Sequence, residues 1–486
     1  MLTLRRLAIL LACAACGGGS TAPSATGGTT NPPSGSSGSL VVTSSDAANA
    51  TLPAAYTCDG EGKSPPVAWS GAPSGTTGYA MLMSTVPSVG TTKYNWILYN
   101  IPAGTTSLGA GASAGTFGFA DDGGGLAYAA PCSQGPGLKQ YTFTVYALSA
   151  APNLSGLAPN QVTGAALTSA LSAVTLASAT LSVGVNRTVA MINCGNIRSS
   201  IAGYRTANSL DLTCDSTYGY FATLGIQSKH AMMNGIIATN QQVPIPQNFT
   251  GTNAWKIPLT PTVAATKVSA VDGPIGIAVN GVPIFNPCKQ GGCSGPGGGD
   301  TKVVGELDLC NGHAGRADDY HYHAAPVCMM ADQGAAYWDT HPLGWALDGY
   351  AIFGYRNPDG TTATRDGQCG GNTVTHPNAP SGYAYHVTDV SPYVLSCFFG
   401  EPSPDLAGQG AKYSPIRPPG TPMPASNMTL DATSASLAVG GTTTQAWQNA
   451  GHTYAVRYTR TTATCWTFVF LTDGAQTSTA NYCRNR

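Results

Sequence analysis

The feature that most restricts what this chain can fold into is an internal duplication. GIAVNGVPIFN (276–286) and GWALDGYAIFG (344–354) share Gly, Ala, Gly, Ile and Phe at matched offsets. Each is an apolar run, an Asn-Gly or Asp-Gly pair and a second apolar run, which is a strong hairpin signal. Behind the first copy come Cys310, His313, Tyr320-His321-Tyr322-His323 and Cys328. Behind the second come Cys369, His376, Tyr383-Ala384-Tyr385-His386 and Cys397. The offsets between the copies (68, 59, 63, 63 and 69 residues) are too similar for coincidence. The sequence therefore predicts a tandem hairpin-plus-histidine module, each histidine strand held by its own disulfide.

Residues two apart on a strand share a face, so His321 and His323 project together and Tyr320 and Tyr322 project oppositely. Imidazoles so placed suit a transition metal, with zinc or copper the ions expected. His313 comes from the same copy, and His386 matches His323 in the other. If the copies pack about a pseudo-twofold, His321, His323 and His386 converge, with His313 a fourth ligand or a neighbour. Asp308, Asp318 or Asp348 would then supply a carboxylate ligand or orient an imidazole. The competing reading is a polar strand face bonded to its neighbours, with the tyrosines in the core. Asp348 also has a plainer reading, because Asp-Gly is turn chemistry. His341 and His452 lack such company and read as structural, and His230 is undecided. With ordinary imidazoles, metal binding would weaken as pH falls through about 6.5.

The opening MLTLRRLAILLACAACGGGS has two arginines, a short apolar run and small residues before cysteine, as an export signal does. The apolar run is too short to span a bilayer. Cys16 is the expected lipidation site, with Cys13 the alternative, and either resembles the cysteine of a bacterial lipoprotein signal. Residues 17–39 are uncharged Gly, Ser, Thr, Pro, Ala and Asn, a tether that cannot bury a core. These features predict an exported protein, lipid-anchored to the bacterial cell envelope. Without Cys13 and Cys16, twelve of the 14 cysteines remain, an even number suited to an oxidising space. Their order suggests Cys58–Cys132, Cys194–Cys214, Cys288–Cys293, Cys310–Cys328, Cys369–Cys397 and Cys465–Cys483. Only 9% of residues are charged and the formal net charge is -1, with no basic patch, so no nucleic-acid partner is expected.

YTCDGEGKSPPVAWSGAP (56–73), YNWILYNIPAG (94–104) and APCSQGPGLKQYTFTVYAL (130–148) resemble the phosphatidylethanolamine-binding protein family in its bacterial branch. The resemblance implies a β-sandwich-like domain with a small anion-binding pocket. This sequence departs from the family at that pocket. The acids of the family's Asp-Pro-Asp-x-Pro stretch are absent near Ser84-Thr85-Val86-Pro87. Its His-Trp pair is Asn95-Trp96, and its His-x-Tyr is Lys139-Gln140-Tyr141. Pro131 and Tyr141 match the family, while Asn95 and Lys139 are substitutes. Lysine could still meet an anionic headgroup as a point charge. The alternative is a β scaffold that has lost its ligand. HAMMNGIIATNQQVPIPQNF, GELDLCNGHA and DDYHYHAAP resemble the YHYH-domain family over roughly residues 200–400. That likeness implies an exported β-rich domain and brings no activity with it.

The reading is a mainly β protein: a signal to residue 16, a linker at 17–39, a β-sandwich-like domain at 40–190 and a disulfide-stapled YHYH domain at 191–402. A linker at 403–425 and a small β-rich region at 426–486 complete it. Three functions compete. First is a membrane-tethered binding lipoprotein, with a transition metal on the histidines and a small anionic or lipid-like ligand in the amino-terminal domain. An exported enzyme using the histidines for metal-assisted or acid–base chemistry comes second. A structural or adhesive surface protein is third.

Overall fold

The computed structural model describes residues 39–483, except 48–49, 89, 206–209, 239–243, 245, 248, 271–272, 290–291, 295–297, 315–318, 366–368, 381, 405, 407–427, 431–437 and 463–464. Cys13, Cys16, Asp318 and nearly all of the 403–425 linker lie outside the described residues.

Two sheets face each other in the amino-terminal domain. Five strands run in the order Thr116–Phe117, Lys93–Pro102, Gly78–Thr85, Gly137–Leu148 and Thr175–Arg187. The smaller sheet orders Val41–Thr43, Val67–Ser70 and Ser107–Leu108. YTFTVYAL alternates as its period-2 pattern predicts. Tyr141, Phe143, Val145 and Ala147 are buried in one cluster with Val67 and Trp69 of the smaller sheet. Across the larger sheet, Leu167 and Leu171 of the helix Gly164–Leu171 pack on Ala80, Leu82 and Ile97.

The duplicated segment builds one eight-stranded sheet. Its strands are β1 (Pro274–Ala278), β2 (Pro283–Phe285), β3 (Gly312–Ala314), β4 (Tyr320–Tyr322), β5 (Gly344–Ala346), β6 (Ala351–Phe353), β7 (Gly371–Asn372) and β8 (Ala384–His386). The order along the sheet is β3-β4-β2-β1-β5-β6-β8-β7. Each copy thus supplies four adjacent strands in the same internal order. The copies meet where β1 and β5 run antiparallel, with Ile277 opposite Trp345. Those two residues are equivalent in the repeat, so a local two-fold passes between them. Every residue of β1 and β5 is buried, which suits them to the middle of the sheet.

The hairpin loops match too. Gly281 and Gly349 both sit at φ 89° in the left-handed region, which closes a three-residue loop. A Cβ at Gly349 would lie 2.3 Å from the carbonyl oxygen of Pro258, so glycine is required there. Five expected disulfides are formed: Cys58–Cys132, Cys194–Cys214, Cys288–Cys293, Cys310–Cys328 and Cys369–Cys397. Cys465 is also disulfide-bonded and stands in register with Cys483. The carboxy-terminal strands form a five-stranded sheet in chain order. Its Trp447, Tyr458, Trp466 and Phe468 belong to the same buried cluster as Ile277 and Trp345. No helix among the described residues is long and apolar enough to cross a membrane.

Candidate functional site

In the first module β3 lies antiparallel to β4, with His313 opposite His321. Directly opposed residues share a face, and the imidazole of His323, just past the end of β4, turns to that face as well. The ring centroids of His313, His321 and His323 form a nearly equilateral triangle, 4.8, 4.7 and 4.8 Å on a side. One nitrogen from each lies within 4.8 Å of the others. Phe285 of β2 stacks on His321 at 4.1 Å and gives the cluster an apolar wall.

Hydrogen bonds fix how two of these rings present themselves. His323 Nδ1 meets the carbonyl oxygen of Asn286, and His321 Nδ1 lies 3.1 Å from that of Asp319. A carbonyl accepts only from N–H, so both rings hold a proton on Nδ1, and the neutral His323 keeps its lone pair on Nε2. The Asp319 carboxylate is 3.6 Å from His321 Nδ1 and reinforces that orientation. His313 Nε2 approaches His323 Nε2 at 2.9 Å, while its own buried Nδ1 has no hydrogen-bond partner. Burial, then the neighbouring His321, holds His313 well below the usual histidine range. Burial, then His313, pushes His323 down to about 3. At neutral pH His313 and His323 are therefore neutral, the form that binds metal. Zinc–imidazole bonds of about 2.0–2.1 Å place adjacent nitrogens roughly 3.3 Å apart at a tetrahedral centre; here His313 and His323 Nε2 are 2.9 Å apart and all three ligand nitrogens lie within 4.8 Å of one another. Three clustered imidazoles beside an apolar Phe285 wall fit a transition ion without needing any other protein ligand.

The tyrosines turn to the opposite side, and Asp308 is there with them. Its carboxylate accepts from Tyr320 Oη at 2.7 Å and from the backbone N–H groups of Met233, Cys310 and Gly312, each at 2.9 Å. Burial raises its pKa, against the pull of those donors. This corrects the expected role of Asp308, which braces the tyrosine side and neither ligates nor orients an imidazole. Tyr322 Oη accepts from Asn280 Nδ2 at 2.9 Å and donates to His230 Nε2 at 3.1 Å. His230 also approaches the disulfide, with Nδ1 3.3 Å from Cys310 Sγ.

His386 does not join His321 and His323, contrary to expectation. With the two-fold between β1 and β5, strands β4 and β8 are five strand spacings apart, roughly 24 Å. His386 instead faces His376 of its own copy, Nε2 to Nε2, at 3.2 Å. Asp348 is likewise no ligand: it accepts from Tyr385 Oη at 2.5 Å and Gly400 N at 2.8 Å. It is the repeat counterpart of Asn280, and the bond to tyrosine is kept in both copies. Asp319 is the site neighbour that sequence reasoning passed over; His376, matched to His313 by the repeat, was given no role, yet it faces His386 as His313 faces His323. His341 stacks on Tyr337 at 3.9 Å, and His452 pairs with Asp473 at 2.7 Å on the surface.

In the amino-terminal domain, Asn95 and Tyr141 are buried, and Lys139 lies two residues before Tyr141 on the same strand face. Asn95 Nδ2 donates to Asp122 Oδ2 at 2.8 Å and to the carbonyl of Ala129 at 3.1 Å, while its buried Oδ1 has no partner. Burial, then the charge of Asp122, pushes Tyr141 up to about 12. Pro131 is buried, and its carbonyl accepts from Cys58 N at 3.2 Å. The buried cation of this region is Arg187, which sequence reasoning missed. Its Nε and Nη2 grip Asp59 at 2.8 and 2.7 Å, so its charge is already matched.

Residues 42–186 match the phosphatidylethanolamine-binding protein family, and residues 254–368 match the YHYH protein family. A UPF0098 protein of Methanothermobacter thermautotrophicus is 33% identical over 20% of this chain and 68% of its own length. A second, from Aquifex aeolicus, is 33% identical, and the match spans 61% of it. A Mycobacterium tuberculosis protein named as lipoprotein LppC is 33% identical over 22% of this chain and 54% of its own. Among solved structures, a phosphatidylethanolamine-binding protein homologue from Chlamydia trachomatis aligns at 25% identity and TM-score 0.28, over 31% of this chain and 100% of that one. The chain belongs to the phosphatidylethanolamine-binding protein family through its amino-terminal domain and carries a YHYH domain behind it.

Proposed function

We propose that this is an exported, lipid-anchored binding protein whose YHYH domain holds one transition ion, zinc or copper, on His313, His321 and His323. The observation that carries this reading is the triangle of three rings, two of them fixed at Nδ1 by backbone carbonyls, with ligand nitrogens from all three within 4.8 Å of one another. The disulfide Cys310–Cys328 ties the loop ahead of β3 to the helix that follows β4, which favours a preformed site over one assembled on binding. Elemental analysis of untagged protein from the exported fraction tests it. About one zinc per chain is expected in the wild type and none in His323→Ala; equal zinc in both proteins contradicts the site.

The amino-terminal domain is read as a weak binder of small anions or lipid headgroups, served by Lys139. Among the described residues Lys139 has no ion-pair partner, whereas Asp122 sets a negative charge beside Asn95. Anchoring through Cys16 is supported by the signal-like opening and by a relative named as a lipoprotein. Cys16→Ser is expected to release the protein from membrane fractions; release only by Cys13→Ser overturns the site, and retention of both variants removes the anchor from the account.

A further inference from the structure

The second module keeps part of the first module's site and alters the rest. In the strand ladder Asn372 of β7 pairs with Ala384 of β8, as His313 pairs with His321. Both of those strand imidazoles are thus replaced. One ring is returned from the following loop: His376 stacks on Phe353 at 4.1 Å, as His321 stacks on Phe285. His386, which is fully buried, donates Nδ1–H to the carbonyl of Gly354 at 2.9 Å. The matching bond in the first copy runs from His323 to Asn286.

We propose that His376 and His386 form a second metal site, a two-imidazole site for a monovalent ion of the cuprous type. Hydrogen bonding leaves a defect that such an ion would remove. The bond to Gly354 makes His386 Nε2 a lone pair, 3.2 Å from His376 Nε2. If His376 carries its proton on Nε2, its buried Nδ1 is a lone pair with no partner. If the proton is on Nδ1, two lone pairs confront each other. A cation between them satisfies both.

The ligand count selects the ion. The Asn372 amide is committed, its Nδ2 to Asn357 Oδ1 at 3.0 Å and Thr364 O at 3.2 Å, and its Oδ1 to Val374 N at 3.1 Å. Ala384 offers only a methyl group. An ion that needs three or four protein ligands is poorly served, whereas cuprous copper and silver accept two nitrogens. Linear coordination needs the nitrogens about 4 Å apart, twice a metal–nitrogen bond. Opening from 3.2 Å asks for a small shift of His376, which a loop residue can make.

Silver is the probe, titrated into the full chain bearing His323→Ala so that the first module cannot compete. About one silver ion per chain is expected to survive gel filtration, and adding His386→Gln should abolish it. No retained silver, or silver that persists in the double variant, overturns the proposal. X-ray absorption at the silver edge needs no change in the pocket itself and should show two nitrogen neighbours; sulfur neighbours overturn the site. Zinc content of the wild type is measured separately, so failure of the first-module site does not hide the result here.

Discussion

The two copies of the histidine module share a scaffold and differ in chemistry. Both have the hairpin, the glycine at φ 89°, the buried tyrosine bonded to the hairpin's Asn280 or Asp348, and the phenylalanine under an imidazole. The first gathers three rings, the second two. The difference teaches that the hairpin, tyrosine and disulfide make a platform on which the histidine face can vary. Tyrosine and histidine alternate along one strand, so stability is built on one side and chemistry on the other.

The largest effect that would sharpen this comparison lies on the tyrosine side. Asp348→Ala leaves Tyr385 Oη and the Gly400 and Tyr350 N–H groups without their acceptor, and should cost about 3 kcal/mol or more in urea unfolding. Asn280→Ala removes the donor to Tyr322 and the 3.3 Å acceptor of Val282 N–H, both neutral bonds, and should cost about 1–2 kcal/mol. If the two cost the same, the copies do not rely on this contact differently. Acid comes next. In metal-free protein the buried histidines have folded pKa values below the unfolded value, so the unfolded chain binds more protons in acid. Their stabilisation is complete above about 6.5 and is lost as pH falls toward the folded values. Those values are about 4 for His376 and about 3 for His323, each lowered first by burial. His323 alone should remove roughly 1.4 kcal/mol per pH unit over that window. The raised pKa values of Asp308 and Asp348 work in the opposite sense and soften the loss. The second module should take up protons first, which ring chemical shifts followed from pH 7 to 4 can check; His323 titrating ahead of His376 would reverse the comparison. Smallest are Phe285→Leu and Phe353→Leu, each about 1 kcal/mol from the lost stack. A much larger cost in one copy would show that its phenylalanine does more than wall the imidazoles.

Much of this was legible in the residues. The repeat gave the hairpins, GIAV and GWAL gave apolar strands, and period 2 put His321 beside His323. Local cysteine order matched the disulfides. The arrangement of the copies was not legible, because any two-fold satisfies a duplicated pattern. The most apolar strand of each copy, β1 and β5, takes the sheet centre, and that choice sends His323 and His386 to opposite ends. An available signal was that those strands are apolar at every position. Asp308 misled for a related reason: an acid near histidines in sequence was read as their partner, but alternation had already placed Tyr320 on its side. His376 could not be placed because it reaches His386 from a loop, outside the strand register. Arg187 lay outside the pocket motifs, 128 residues from Asp59, so nothing local joined them.

The central claim is that the first module is the three-imidazole centre. Anomalous diffraction at the zinc edge from crystals of the untagged protein, grown with one equivalent of zinc, tests it directly. A single peak is expected within about 2.0–2.1 Å of nitrogens from His313, His321 and His323. A peak only at His376 and His386, or none while the three rings keep their hydrogen-bonded triangle, would contradict it.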